Sequence, residues 1–297
     1  MRFGIMEMQL GMLIPANAPP QELLARVAGF EHVALTRRLA HSGFKTIELG
    51  GDLALFFPGA YSPAAVAGLA ALKQELGLAY TVHLPLWSTE PSTPLAPVRH
   101  GSASVMIDII RATAPLEPED YVIHATGPLA AEFYRMTMPE TARVLLLRQF
   151  QTYARDSLSM ILHETGLPGR KLAIETIEFP FELTMELADD LDLSVCLDTG
   201  HVLSGFSGPV VLFEALERCL PRLAQIHLHD SPQWHPGTPI VYGKDHQPLG
   251  AGDLDVGRLL DRLLESSFKG PLVFELEVQQ ALDSLDVIRG LRPGIVD

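Results

Sequence analysis

The sequence predicts an α/β protein, a single (β/α)8 TIM barrel running over residues 1–297 as one domain. Three observations predict it. Short apolar runs alternate with longer amphipathic stretches along the whole chain, the pattern of a parallel sheet covered by helices. Run after run ends in a side chain able to bind a metal: Tyr-Thr-Val-His83, Tyr-Val-Ile-His124, Leu-Ala-Ile-Glu175, Val-Cys-Leu-Asp198, Ala-Gln-Ile-His227 and Leu-Val-Phe-Glu275. Core strands do not carry ionisable groups unless these are paired or bound. The length of 297 residues is also close to the usual size of one such barrel.

Taken in order, the first strand is expected at Phe3–Gln9, followed by a helix pattern over about Pro20–His41. The second strand is Lys45–Leu49, and the next helix opens at Ser62-Pro63, a good N-cap before a proline suited to the first turn. A strand at Ala79–Leu84 leads into the Ser/Thr/Pro-rich loop Trp87–Pro97. Tyr121–Ala125 precedes a long helix over about Pro139–Glu164, then come strands Lys171–Thr176 and Leu193–Asp198. Leu223–His229 is followed by a polar loop from Ser231 to Gly252, and Pro271–Glu275 by a last helix at about Gln279–Arg289.

Side chains alternate faces along a strand, which tests the pattern more strictly. Ile226 and Leu228 share one face while His227 and His229 share the other. The same parity sets Glu48, His83, His124, Glu175, Asp198 and Glu275 opposite the large aliphatic residues. All of these point towards the axis near the carboxyl mouth, where barrel enzymes place their chemistry.

Composition narrows the function. The formal net charge is −14 and no Lys/Arg cluster occurs, so a nucleic-acid partner is not expected. No run of 18 apolar residues suggests a membrane span, and no signal segment is recognisable at the N-terminus. Two cysteines, Cys196 and Cys219, make no disulfide framework, which points to a reducing cytoplasm.

Two further motifs extend the strand-end set. Asp198-Thr-Gly-His201 lets a strand-end carboxylate and the following loop reach one ion or two adjacent ones. His227-Leu-His229-Asp230 is followed, within its loop, by Lys244-Asp245-His246. Carboxylate oxygen together with imidazole nitrogen suits zinc, manganese, iron or cobalt better than magnesium or calcium. A lone histidine near a strand end is ordinarily a packing residue; the ordered set is what argues otherwise. His32, His41, His100, His163 and His235 show no partner pattern and read as solvent or packing residues, while Met6 and Met8 read as core filling. Glu277 is expected past the barrel mouth, and Asp230 as a group that orients its neighbours.

Over essentially its whole length the sequence resembles the xylose-isomerase-like barrel superfamily, and around the ligands it is similar to the endonuclease-IV type. That resemblance implies a multinuclear site of two or more divalent ions, zinc foremost, held by His83, His124, Glu175, Asp198, His201, His227, His246 and Glu275. The family's Asp-x-His pair has Lys244 in place of its aspartate. Thr81–Trp87 with the loop after it looks like the cobamide-remodelling phosphodiesterases. The expected activity is therefore hydrolysis of a small nucleotide-containing phosphodiester, with the nucleotide loop of adenosylcobamide as the leading candidate. Glu175 and Glu275 are the expected catalytic carboxylates, Lys244 a donor to phosphate, and Trp87 and His229 substrate contacts, His229 alternatively orienting a ligand. Two other readings stay open. One is a single-ion sugar or sugar-phosphate isomerase or epimerase using Glu175, Asp198, His227 and Glu275; the other is a barrel that binds a metabolite without turnover.

Overall fold

The computed structural model describes residues 1–9 and 19–296. Eight parallel strands close into a barrel in sequence order, each strand bonded to the next and the last to the first. The strands are β1 (Arg2–Met6), β2 (Thr46–Gly50), β3 (Ala79–His83), β4 (Tyr121–Ile123), β5 (Leu172–Glu175), β6 (Ser194–Asp198), β7 (Leu223–His227) and β8 (Pro271–Phe274). The helices are α1 (Pro20–Ala28), α2 (His32–His41), α3 (Leu53–Phe56), α4 (Pro63–Leu76), α5 (Ala96–Thr113), α6 (Pro128–Arg135) and α7 (Glu140–Thr165), then α8 (Phe181–Asp190), α9 (Thr199–Leu203), α10 (Leu212–Cys219), α11 (Val256–Glu265) and α12 (Val278–Leu291). All eight expected strands form, each ending within three residues of its expected end.

The alternation read from the sequence holds. Ile47, Val82, Ile123, Ile174, Leu197, Ile226 and Phe274 are buried in the layer between sheet and helices. Val122, Ala173 and Cys196 face the axis instead, and their small size leaves room above them for the polar residues of the mouth. Burial pushes the Cys196 thiol far above its ordinary value, which removes it as a thiolate ligand.

The first helical stretch departs from expectation. One helix over Pro20–His41 is in fact two, α1 and α2, broken at residues 29–31. Gly29 ends α1, and the Phe30 ring leaves the helical path to stack on Phe57 at 3.8 Å. Ser62 caps α4 as expected, accepting a hydrogen bond from the Ala65 backbone N–H.

His32 also corrects the sequence reading, since it is neither solvated nor unpartnered. Its Nε2 lies 2.6 Å from a Glu7 carboxylate oxygen, and its Nδ1 donates to the Ala60 carbonyl. The other Glu7 oxygen accepts from Thr36 at 2.6 Å. The arrangement pins α2 to the end of β1. His41, His100, His163 and His235 are exposed, as the sequence suggested.

Candidate metal centre

Every ligand-type strand end reaches the carboxyl mouth. Glu175, at the end of β5, is the hub. Its Oε2 sits 3.1 Å from His83 Nε2 and 3.0 Å from His124 Nε2. Its Oε1 faces the other way, 3.4 Å from His227 Nδ1 and 3.5 Å from His201 Nδ1. One carboxylate therefore presents an oxygen to each of two ligand groups. The first is His83, His124 and Glu175; the second is Glu175, Asp198, His227 and Glu275; in each, the donor atoms lie within 4.8 Å of one another.

His227 tests whether these residues fit an ion. The residue is fully buried, and beneath the site its Nε2 lies 2.9 Å from a Glu48 carboxylate oxygen and 3.0 Å from Gln225 Nε2. Thr81 donates to Glu48 in turn, at 2.9 Å. The Nδ1 of His227 has no hydrogen-bond partner, yet it faces Glu275 Oε1 at 3.2 Å, Glu175 Oε1 and Asp198 Oδ2. A carboxylate below and an unpaired nitrogen above, pointed at three carboxylates, is the arrangement of a metal-ligating histidine. The donors fit a divalent transition ion.

Electrostatics agree. Burial alone would lower the histidine pKa values, but the charges and hydrogen bonds of the surrounding carboxylates outweigh it. His83 is held up to about 9, mainly by Glu175, and His201 to about 9 by Asp198 and Glu175. His246 is raised to about 11 by Asp245 and Glu275. Glu175 and Glu275 stay well below the usual carboxylate range despite their burial, because charged histidines surround them. Carboxylates and histidines therefore alternate around the mouth, and an ion binding there would take the place of the histidine protons.

Local sequence explains how β6 and β7 meet there. Asp198 caps the short α9, its Oδ1 accepting from the His201 backbone N–H at 2.6 Å, while Oδ2 turns into the site, 2.8 Å from His229 Nε2. Thr199 Oγ1 donates to the His229 carbonyl at 2.7 Å and accepts from the His229 N–H at 3.1 Å, locking the two strand ends together. Gly200 has no Cβ because one there would overlap the His229 ring and the Asp245 carbonyl oxygen. Gly200→Ala is expected to displace His229 and loosen the β7 loop, lowering ion content with little change in far-UV circular dichroism. An unchanged ion count would contradict that packing.

Asp230 behaves as the sequence suggested. It is fully buried and accepts backbone N–H bonds from Ser231, Gly250 and Leu254 at 2.8, 2.8 and 2.9 Å. Its own backbone pairs with Gln247, so the long loop is folded back and His246 is carried to the mouth. There His246 Nε2 lies 3.1 Å from Glu275 Oε2.

A cavity of about 410 Å³ opens over the centre. It is lined by His83, His124, Glu175, His201, His246 and Glu275 and by the apolar side chains of Met6, Met8, Leu86, Trp87 and Leu276. Trp87 is half exposed and sets its ring edge-on to Phe56 at 5.9 Å, where the sequence placed a substrate contact. Lys244 is exposed and does not line the cavity, and His229 is buried behind its wall. Met6, at the end of β1, and Met8, just beyond it, are only partly buried and line the cavity, and Met8 also packs against the buried cluster of Leu35, Leu53, Phe57 and Ala60. Glu277 and Gln280 line it too, through the turn that starts α12. The parity that singled out Glu275 also pointed to Glu277. Gln225, Thr81 and Thr176 carried no comparable signal, because uncharged polar residues in strands have many ordinary uses.

The profile of the xylose isomerase-like TIM barrel family matches residues 36–291. The chain belongs to that family. A D-tagatose 3-epimerase-like protein superposes with a TM-score of 0.71 at 18% identity, covering 98% of this chain and 97% of its own. The 3-keto-D-glucoside 4-epimerase of E. coli gives 0.65 at 17% identity, covering 98% and 99%. Endonuclease IV from Thermus thermophilus gives 0.64 at 19% identity, covering 98% of each chain. At such identities the likeness is one of fold, and the fold is shared by hydrolases and epimerases alike. No curated protein sequence matches the chain. Among the described residues no helix is long and apolar enough to cross a membrane.

Proposed function

We propose that the protein is a metal-dependent phosphodiesterase acting on a small nucleotide-containing ester. The observation that carries this reading is the split Glu175 carboxylate, with one oxygen towards His83 and His124 and the other towards His227. A one-ion epimerase has no use for the first group. Two ions side by side suit a phosphoryl group whose attacking and leaving oxygens must both be held. When bound, such ions supply Lewis acidity and an activated water at neutral pH.

The chain's own residues do the positioning. Glu48 and Gln225 hold the His227 ring so that Nδ1 faces the mouth, and Leu84 fixes His83 through its carbonyl, 2.8 Å from Nδ1. Glu275, between His227 and His246, is placed to orient a water against the substrate. Among the described residues the cavity lining contains no lysine or arginine. The phosphate charge therefore has to be met by ions, and the apolar wall of Met6, Met8, Trp87 and Leu276 suits the flat or apolar part of the ester.

The leading substrate is the nucleotide loop of adenosylcobamide, cleaved to a cobinamide phosphate and a nucleoside. The cavity's volume of about 410 Å³ lies within the range usual for small-ligand sites. A second reading has its own support, because Glu175, Asp198, His227 and Glu275 form a complete one-ion group by themselves. Incubation with adenosylcobamide and, separately, with ketoses and ketose phosphates separates the two. Cobinamide phosphate release supports the phosphodiesterase; epimerised sugar without ester cleavage supports the rival.

Duplex DNA containing abasic sites is expected to be a poor substrate. With a net charge of −14, the protein lacks the phosphate neutralisation that supplies most non-specific affinity. Efficient incision at physiological salt would contradict this expectation.

A further inference from the structure

We infer that Asp52 and Trp87 form a subsite for the nucleoside end of the ester, an assignment that rests on the phosphodiesterase reading above. Trp87 meets the base, and Asp52 Oδ1 accepts a hydrogen bond from a ribose hydroxyl. Asp52 lies just beyond the end of β2 and lines the cavity, yet it is only 5% exposed. Its Oδ2 accepts from the backbone N–H of Leu86 at 2.9 Å and of Trp87 at 3.4 Å. Its Oδ1 is buried and has no hydrogen-bond partner. Leaving a buried acceptor unsatisfied is costly, and in a cavity wall the missing partner is most simply a donor on the ligand.

The surroundings offer no substitute. Tyr61, close enough to feel the Asp52 charge, spends its hydroxyl on the Gly50 carbonyl oxygen at 2.8 Å. Gln9, also in the lining, is fully engaged: its Nε2 donates to the Met6 and Leu276 carbonyls, and its Oε1 accepts from the Val278 N–H. Among the described residues the lining contributes no lysine or arginine to neutralise the carboxylate. Gly50 and Gly51 bring no side chain into the space beside it, and a Cβ on Gly51 would run into Pro85 and the His83 carbonyl oxygen.

Charge and neighbours decide what the donor is. A carboxylate repels a phosphoryl group, so Asp52 serves the uncharged part of the ester. The same carboxylate grips the backbone of Trp87, which is half exposed and is met edge-on by Phe56 at 5.9 Å. One edge-on neighbour covers at most one face of the indole. Bases stack on open aromatic faces whatever their identity. The group joined to a base is its sugar, whose hydroxyls are the donors that Oδ1 lacks. A site built around such a hydroxyl discriminates against the analogue without it, because its own polar group is then left unpaired.

Isothermal titration calorimetry of the Zn2+-loaded chain with adenosine and with 2′,3′-dideoxyadenosine tests the assignment. Neither ligand holds a phosphoester, so turnover does not interfere. Wild type is expected to prefer adenosine by about tenfold or more, the scale of a hydrogen bond to a charged group. Asp52→Asn keeps an oxygen for the Leu86 N–H and replaces Oδ1 by an amide N–H2, and the preference is expected to vanish. Trp87→Ala is expected to weaken both nucleosides by a common factor. An Asp52→Asn variant that weakens both ligands but keeps their ratio would make Asp52 a clamp on the backbone and nothing more, overturning the assignment. So would a Trp87→Ala variant that binds both as wild type does. Equal affinities in wild type overturn it whether or not either variant folds. If bis(p-nitrophenyl) phosphate, a phosphodiester without ribose, is still hydrolysed in that case, the phosphodiesterase reading stands. Binding of neither nucleoside, with a ketose bound and no phosphodiester cleaved, would overturn both together.

Discussion

Glu175→Gln is expected to lower kcat by about 10³-fold, at the upper end of the loss seen when one preorganised stabilising group is removed from a reacting centre. The reason is geometric. Glu175 is the residue whose two oxygens face different ligand groups, His83 and His124 on one side and His227 on the other. An amide keeps the shape, removes the charge and turns an N–H towards histidine nitrogens or ions. Ion content should fall with activity, while circular dichroism and the unfolding midpoint without added metal should change little. Turnover within a few fold of wild type at full ion content would show that Glu175 is not shared between ions.

The second large effect falls on stability and lies away from the chemistry. His32→Ala strips the partner from Glu7, whose carboxylate is fully buried. Breaking a buried pair by removing one member costs about 3–5 kcal/mol, since the remaining charge is left uncompensated. Denaturant unfolding of wild type and variant measures it. The pH dependence has a definite sign. Burial opposes the charged ring, but Glu7 raises the His32 pKa above its ordinary value. The pair's contribution is therefore complete below about pH 6.5, the ordinary histidine value, and is lost as pH rises through the raised folded value. The gap between wild type and His32→Ala should narrow as the solution becomes alkaline. A gap that widens would contradict the assignment.

Much of the barrel was legible because two periodicities are written into short segments. Period-two alternation set Ile226 and Leu228 against His227 and His229, and it survives in the structure with the aliphatic pair outward. The gathering of the ligand-type side chains at the mouth was legible for the same reason, since strand parity turns them all inward. The break between α1 and α2 was not legible. It depends on Phe30 finding Phe57, a tertiary contact between residues 27 apart that no local pattern announces. The Glu7–His32 pair was missed likewise, because its members lie on different elements. His229 shows the limit most clearly. Its parity placed it inward, but whether it met substrate or ligand depended on Asp245 folding back across it. That fold-back is fixed by Asp230 and Gln247 pairing across a loop too long to read from sequence.

In the proposed reaction, water attacks phosphorus at this site. Phosphorus NMR of adenosylcobamide turned over in water enriched in heavy oxygen tests it most directly. The phosphodiester resonance is expected to give way to a phosphomonoester line carrying the isotope shift of one heavy oxygen, and Glu175→Gln is expected to leave the starting resonance in place. A phosphodiester resonance that persists with metal-loaded enzyme, while the same preparation epimerises a ketose, would contradict it.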